Sequence, residues 1–247
     1  MDTRPTRRFG IRLGGCEGPL EDLIKQHSAL LPADHVYTLL EVGSAGCVTL
    51  RAFSDILRET RGDKWRTIGL DLTLDKAWSV DMREVSESFI GLPRQVMEHD
   101  TANRWLSDLR ELTGMSLLLL DDPRAFVCNV LPYRPDLTFI DGSHGISCGR
   151  DFLAVEGKVP THGLVVFHDY GEPEQGTDWQ AFDREFISVR SYVHRLGLAS
   201  PCVTPRKGWR FVGEIKGSRH WGQDGNSCAV VQRTNEPLEY QPELSID

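Results

Sequence analysis

Short apolar runs that close on an acid, a glycine or a histidine recur along this chain, and helix-like stretches separate them. The runs are Val36–Val42, Thr67–Asp71, Met115–Leu120, Leu137–Asp141 and Gly163–His168. A strand that is apolar almost throughout must be covered on both faces, which is the situation of a parallel sheet flanked by helices. Parallel neighbours cannot be joined by a tight turn and need a crossover, usually a helix. The intervening segments supply that pattern. Pro19–Leu31 places Leu20, Leu23, Ile24 and Leu30 at helical spacing and is stopped by Pro32. Leu50, Phe53, Ile56 and Leu57 repeat the spacing, and helices are also expected over Ala102–Leu112, Asp151–Val159 and Trp179–Leu196, the last with Phe182, Phe186, Val189 and Val193 on one face. Two final strands, Trp209–Ile215 and Ser227–Gln232, flank a loop carrying Gly217, Gly222 and Gly225 and read as an antiparallel hairpin. The expected architecture is α/β: a doubly wound, mainly parallel seven-stranded sheet ending in that hairpin. It forms one domain, with residues 1–35 as an N-terminal helical segment, 36–232 as the core and 233–247 as a tail.

Composition narrows the function classes. The 247 residues carry a formal net charge of −8, with no basic run beyond the short Arg4–Arg8 stretch. A chain that tracks phosphate backbones usually shows a basic face or tail, so no nucleic-acid partner is expected. No segment has the length of apolar residues needed to span a bilayer, and the polar first ten residues do not read as a secretion signal. The expectation is a cytoplasmic protein acting on a small molecule without a membrane partner, and a homo-oligomer is left open. The six cysteines, Cys16, Cys47, Cys128, Cys148, Cys202 and Cys228, show no CxxC pair and no metal-ligand spacing, so they read as small buried hydrophobes. Of the six tryptophans, Trp78 follows Asp71 closely and is the one placed to stack on a bound ring. The charge-rich Arg184–Arg195 stretch reads as a solvated helix face.

In an open parallel sheet, ligands bind beyond the carboxyl ends of the strands, where strand order reverses. The residues at those ends are Glu41 and Gly43, Asp71, Asp121 and Asp122, Asp141, and His168 and Asp169. One acid at a strand end is ordinary, but a series on one edge is not. Glu41-Val42-Gly43-Ser44-Ala45-Gly46 joins strand to helix with the glycine that a tight turn and a close ligand require. It is neither the GxGxxG of dinucleotide dehydrogenases nor the GxxxxGK[ST] of phosphate loops, which favours a cofactor without phosphates. Asp71 stands where a carboxylate accepts hydrogen bonds from ribose hydroxyls. That placement would suit NAD as well, so it marks a ribose rather than a reaction.

From Val36 to Asp183 the chain resembles class I S-adenosylmethionine (SAM) methyltransferases of Rossmann-like fold. It is most similar to the branch of sugar, macrolide and cephalosporin-pathway O-methyltransferases. The resemblance rests on Leu40-Glu41-Val42-Gly43-Ser44-Ala45-Gly46, Gly69-Leu70-Asp71, the Ile140-Asp141-Gly142-Ser143-His144 strand end and Phe167-His168-Asp169-Tyr170. Ala45 and Cys47 depart from the usual glycines. The resemblance implies that Glu41, Gly43, Ser44 and Ala45 hold the methionine portion of SAM, Asp71 the ribose and Asp122 the adenine amino group. It further implies that Asp141 and Asp169 could take a divalent metal such as Mg²⁺, with His144 as the catalytic base. Metal-dependent relatives usually carry two adjacent carboxylates after the fifth strand, whereas here the first position is His168, a better ligand for softer transition metals than for magnesium. Asp141, His168 and Asp169 are therefore the candidate metal set, and direct hydrogen bonds to an acceptor are the alternative role for Asp141 and Asp169. Two other readings stay open: an NAD-linked oxidoreductase, disfavoured by the missing GxGxxG, and a non-catalytic protein of SAM-binding fold, disfavoured by the Asp141, His144 and Asp169 set.

Overall fold

The computed structural model describes residues 16–44, 48–72, 115–120, 123–142, 146–171, 189–199, 204–217 and 227–238. In chain order the elements are α1 (Glu17–Ala29), β1 (Tyr37–Val42), α2 (Val48–Arg61), β2 (Trp65–Leu72), β3 (Met115–Leu120), α3 (Pro123–Asn129), β4 (Leu137–Ile140), α4 (Ile146–Val155), β5 (Leu164–Phe167), α5 (Val189–Arg195), β6 (Trp209–Lys216) and β7 (Ser227–Arg233). The strands form one seven-stranded sheet in the order β3-β2-β1-β4-β5-β7-β6. The first five strands pair in parallel, and β7 runs antiparallel to both β5 and β6. The doubly wound sheet and its C-terminal hairpin are as the sequence implies.

Alternation along β1 divides the core between the two faces of the sheet. Tyr37 and Leu39 join Leu137, Phe139, Leu164 and Val166 in a cluster beneath Leu20 and Ile24 of α1 and Phe53, Ile56 and Leu57 of α2. Leu40 and Val42 point the other way, with Ile140, Val165 and Phe167, under Phe152 and Val155 of α4 and Tyr192 and Val193 of α5. Phe53 and Phe139 meet edge to face at 5.1 Å between ring centroids. Each such large apolar side chain contributes roughly 1.5–3 kcal/mol by leaving water.

The lower edge of the sheet is fixed by polar groups. Asp136 accepts from the Thr38 backbone N–H at 2.8 Å, and its own N–H donates to the Thr38 carbonyl, which sets β4 beside β1. At the end of α2, Arg61 donates to the carbonyls of Ser28, Leu31, Pro32 and His35 and so ties α2 to the turn that follows α1.

Several boundaries differ from the sequence reading. The first helix ends at Ala29, with Leu30 as its cap, rather than continuing to Leu31. The helix expected over Asp151–Val159 is α4, which begins earlier and ends at Val155; Gly157 and Pro160 punctuate the turn that follows. Helix α3 was not expected from periodicity, because seven residues carry too little of it; Pro123 at the first helical position was the available signal. Ala102–Leu112 lies outside the described residues, as does the first part of Trp179–Leu196. No helix among the described residues is long and apolar enough to cross a membrane.

Candidate active site

From β1 the chain moves outward to β2 and β3, then returns to place β4 on the other side of β1. The switch point therefore lies between the carboxyl ends of β1 and β4, the position at which open parallel sheets bind ligands. Gly43 stands there with φ +88°, and its N–H donates to the Leu70 carbonyl at 2.8 Å. A Cβ on Gly43 would lie 2.6 Å from the Asp141 carbonyl oxygen and would run into the Gly142 backbone. Glycine is thus required twice over, by its backbone angle and by the approach of the two loops. Asp151 of α4 lies under Gly142 and pairs with Arg124 of α3 at 2.7 Å, bracing the same switch point from below.

Glu41 points into this region from β1 and is fully buried, with its Oε2 lacking a hydrogen-bond partner. Burial pushes its carboxyl well above the ordinary range, and the negative charges of Asp141 and Asp71 add to the shift, while the Ser44 hydroxyl and His168 oppose it. The hydroxyl of Ser44 is likewise buried. Asp71, the last but one residue of β2, is half-buried, and its charge and that of Asp141 just after β4 both reach Glu41 of β1.

Beyond β4 and β5 a second group assembles. His168 Nδ1 lies 2.7 Å from Asp141 Oδ1 and 3.4 Å from Asp169 Oδ2. One ligand atom from each of the three residues falls within 4.8 Å of the others. The imidazole is 6% exposed, and its Nε2 is buried without a partner. Burial pulls its pKa down, but the charge and hydrogen bond of Asp141, with those of Asp169, outweigh that and hold it well above the usual histidine value. His168 is therefore a buried imidazole between two carboxylates that favour its protonated form. Asp169 sits at φ +55°, a left-handed conformation that few residues other than glycine adopt and that Asp tolerates.

Tyr170 helps fix that conformation. Its N–H donates to the Ser227 carbonyl at 2.9 Å, and its hydroxyl lies 2.8 Å from His194 Nε2. Arg190 stacks over the Tyr170 ring at 4.2 Å, donates from Nε to the Tyr170 carbonyl and reaches Glu214 of β6 at 3.0 Å. Part of the stretch read as a solvated face is thus a clamp on Tyr170 at this edge of the sheet. Charge density alone could not distinguish the two, because the partners of Arg190 and His194 come from distant segments.

The structure brings Glu41, Gly43, Ser44, Asp71, Asp141, His168 and Asp169 to one edge of the sheet. Ala45, Asp122, His144 and Trp78 lie outside the described residues. Sequence reasoning missed Arg190, His194, Glu214 and the Arg124–Asp151 pair. It also treated Cys16 and Cys228 as unrelated, although the structure places them in one cluster.

No family model matches the sequence, and no curated protein matches it either. Solved structures do share the fold. The O-methyltransferase TomG from Streptomyces achromogenes, involved in tomaymycin synthesis and solved with SAM, superposes with a TM-score of 0.51 at 12% identity over 94% of this chain and 86% of that one. An O-methyltransferase from Bacillus cereus, solved with S-adenosylhomocysteine (SAH), gives 0.53 at 12% identity over 94% and 83%. A candidate rRNA-methylase from Clostridium thermocellum gives 0.51 at 9% identity over 89% and 97%. The class that the architecture defines is the Rossmann-like methyltransferase fold.

Proposed function

We propose that this protein is a SAM-dependent methyltransferase acting on a hydroxyl of a small polar acceptor. The observation that carries the reading is the Asp141, His168 and Asp169 cluster beside the Gly43 turn at the switch point. The structural neighbours include O-methyltransferases and a candidate rRNA-methylase, so fold does not select the acceptor. The net charge of −8 favours a small molecule over RNA.

The residues present fit the cofactor. Gly43 lets the turn after β1 pack against the Asp141–Gly142 backbone at the switch point, and the buried Glu41 carboxyl keeps one oxygen, Oε2, without a hydrogen-bond partner. Glu41, Gly43, Ser44 and Ala45 would hold the methionine portion, Asp71 the ribose hydroxyls and Asp122 the adenine amino group. Bound there, SAM supplies an electrophilic methyl group on a sulfonium. The chain's own task is to orient an acceptor oxygen and remove its proton. Asp141 and Asp169 orient the hydroxyl, and His144 takes the proton. A positioned base contributes on the order of 10²–10⁴ in rate.

A divalent metal also fits the donor set, because two carboxylates and an imidazole converge. The nitrogen donor suits a transition-metal dication better than Mg²⁺. Such an ion would acidify a coordinated hydroxyl, and His168 would have to give up the proton it shares with Asp141. The alternative is that the carboxylates bind the acceptor directly, with His168 holding them in place.

The test is transfer of labelled methyl from SAM into a metabolite extract, followed by purification of the labelled product. Label in a small molecule at an ether or ester oxygen supports the reading. Label in RNA, on nitrogen only, or nowhere contradicts it. Once a product is in hand, His144→Ala should lower turnover by about 10²–10⁴ with the fold intact. Activity that survives exhaustive chelation removes the metal version.

A further inference from the structure

The structure brings together two cysteines separated by most of the chain. Cys16 is the cap residue of α1, and Cys228 is the second residue of β7. Cys16 Sγ lies 3.6 Å from the Ile215 carbonyl, and Ile215 is the cross-strand partner of Cys228. Both side chains are fully buried in the same apolar cluster beneath α1. We infer that Cys16 and Cys228 form a reversible disulfide, a modification site that ties the start of α1 to the strand beside the active edge.

The neighbourhood assigns the two thiols different parts. The Cys228 thiol, as a hydrogen-bond donor to the Cys16 sulfur, lowers the Cys16 pKa against the opposition of burial. The same hydrogen bond, with burial, raises that of Cys228. Cys16, at the end of α1, is therefore the attacking sulfur once it gives up its proton. It displaces one thiolate from a low-molecular-weight disulfide and becomes a mixed disulfide. Cys228, losing its proton, then attacks the Cys16 sulfur and releases the second thiolate. The protein gives up two hydrogens, and the small disulfide is reduced to two thiols.

Burial would protect a thiol in the middle of a helix, but Cys16 sits at an end. It makes no side-chain cap bond to the first turn of α1, where helices fray at least cost. The bond has consequences at the active edge because of what adjoins it. Ser227, next to Cys228, accepts the Tyr170 N–H, and the fields of His168 and Asp169 reach Cys16. Oxidation thus ties the start of α1 to the strand that supports Asp169.

The experiment uses the reduced full-length protein incubated with oxidised glutathione, quenched by alkylation and mapped under non-reducing conditions. The expected result is a peptide pair joined through Cys16 and Cys228, lacking two hydrogens and released by dithiothreitol. In Cys228→Ala the reaction should stop at glutathione on Cys16. The inference is overturned if both cysteines are alkylated while the exposed Cys128 carries glutathione. It is equally overturned if Cys16 or Cys228 is linked only to another cysteine. The mapping needs neither cofactor nor acceptor, so its failure is separate from that of the methyltransferase reading.

Discussion

Glu41 and His168 are both buried beside the switch point, and each is held in its protonated form by different means. For Glu41 the cause is chiefly burial, reinforced by Asp141. The unfolded chain releases this proton near pH 4.5 while the folded chain keeps it, so folding stability falls as pH rises from there towards the raised folded value. The slope for one such proton is ~1.4 kcal/mol per pH unit. Relative to Glu41→Gln, which has no proton to lose, the wild type should therefore weaken above about pH 4.5; parallel stability curves from denaturant melts would refute the assignment. The same substitution should weaken SAM binding.

For His168, burial is overcome by Asp141 and Asp169. A raised histidine contributes its stability in full below the unfolded value of about 6.5 and loses it as pH rises through the folded value. The cost of His168→Gln should be greatest near pH 6 and shrink in alkaline buffer. A cost that does not change with pH would show that the imidazole is not charged in the folded protein.

At the scale of elements, the geometry of the switch point depends on how closely the loops after β1 and β4 approach. Gly43→Ala should cost at least ~2 kcal/mol, from a strained backbone angle and from the contact with Asp141 and Gly142. It should also abolish cofactor binding, since the two loops must part. A folded Gly43→Ala protein with wild-type melting temperature and affinity would sink this account of the turn. The strand ends were legible in the sequence because a buried parallel strand is apolar until it must leave the sheet. Helix α3 and the true span of α4 were not, since short helices are placed by tertiary contacts more than by their own periodicity. The clamp of α5 on Tyr170 was hidden for a related reason. Arg190 and Glu214 are 24 residues apart, and no local pattern announces that they meet.

For the molecule as a whole, the order of strands is what turns a list of acids into a site. Read along the chain, Glu41, Asp71, Asp141 and Asp169 are scattered; with β1 central and β4 beside it they share one edge. That convergence was foreseeable from alternation and strand-end chemistry. The pairing of His168 with Asp141 was not, because adjacency of β4 and β5 ends fixes which side chains touch only once the backbone beyond them is known. The central claim is that this edge binds SAM, and isothermal titration of SAH into the wild type and into Asp71→Ala tests it most directly. The account predicts saturable binding to the wild type, no binding of NAD, and a loss of about 1.5–3 kcal/mol in the variant, the range for hydrogen bonds to a charged group. Binding of NAD in place of SAH, or unchanged SAH affinity in a folded Asp71→Ala protein, would contradict it.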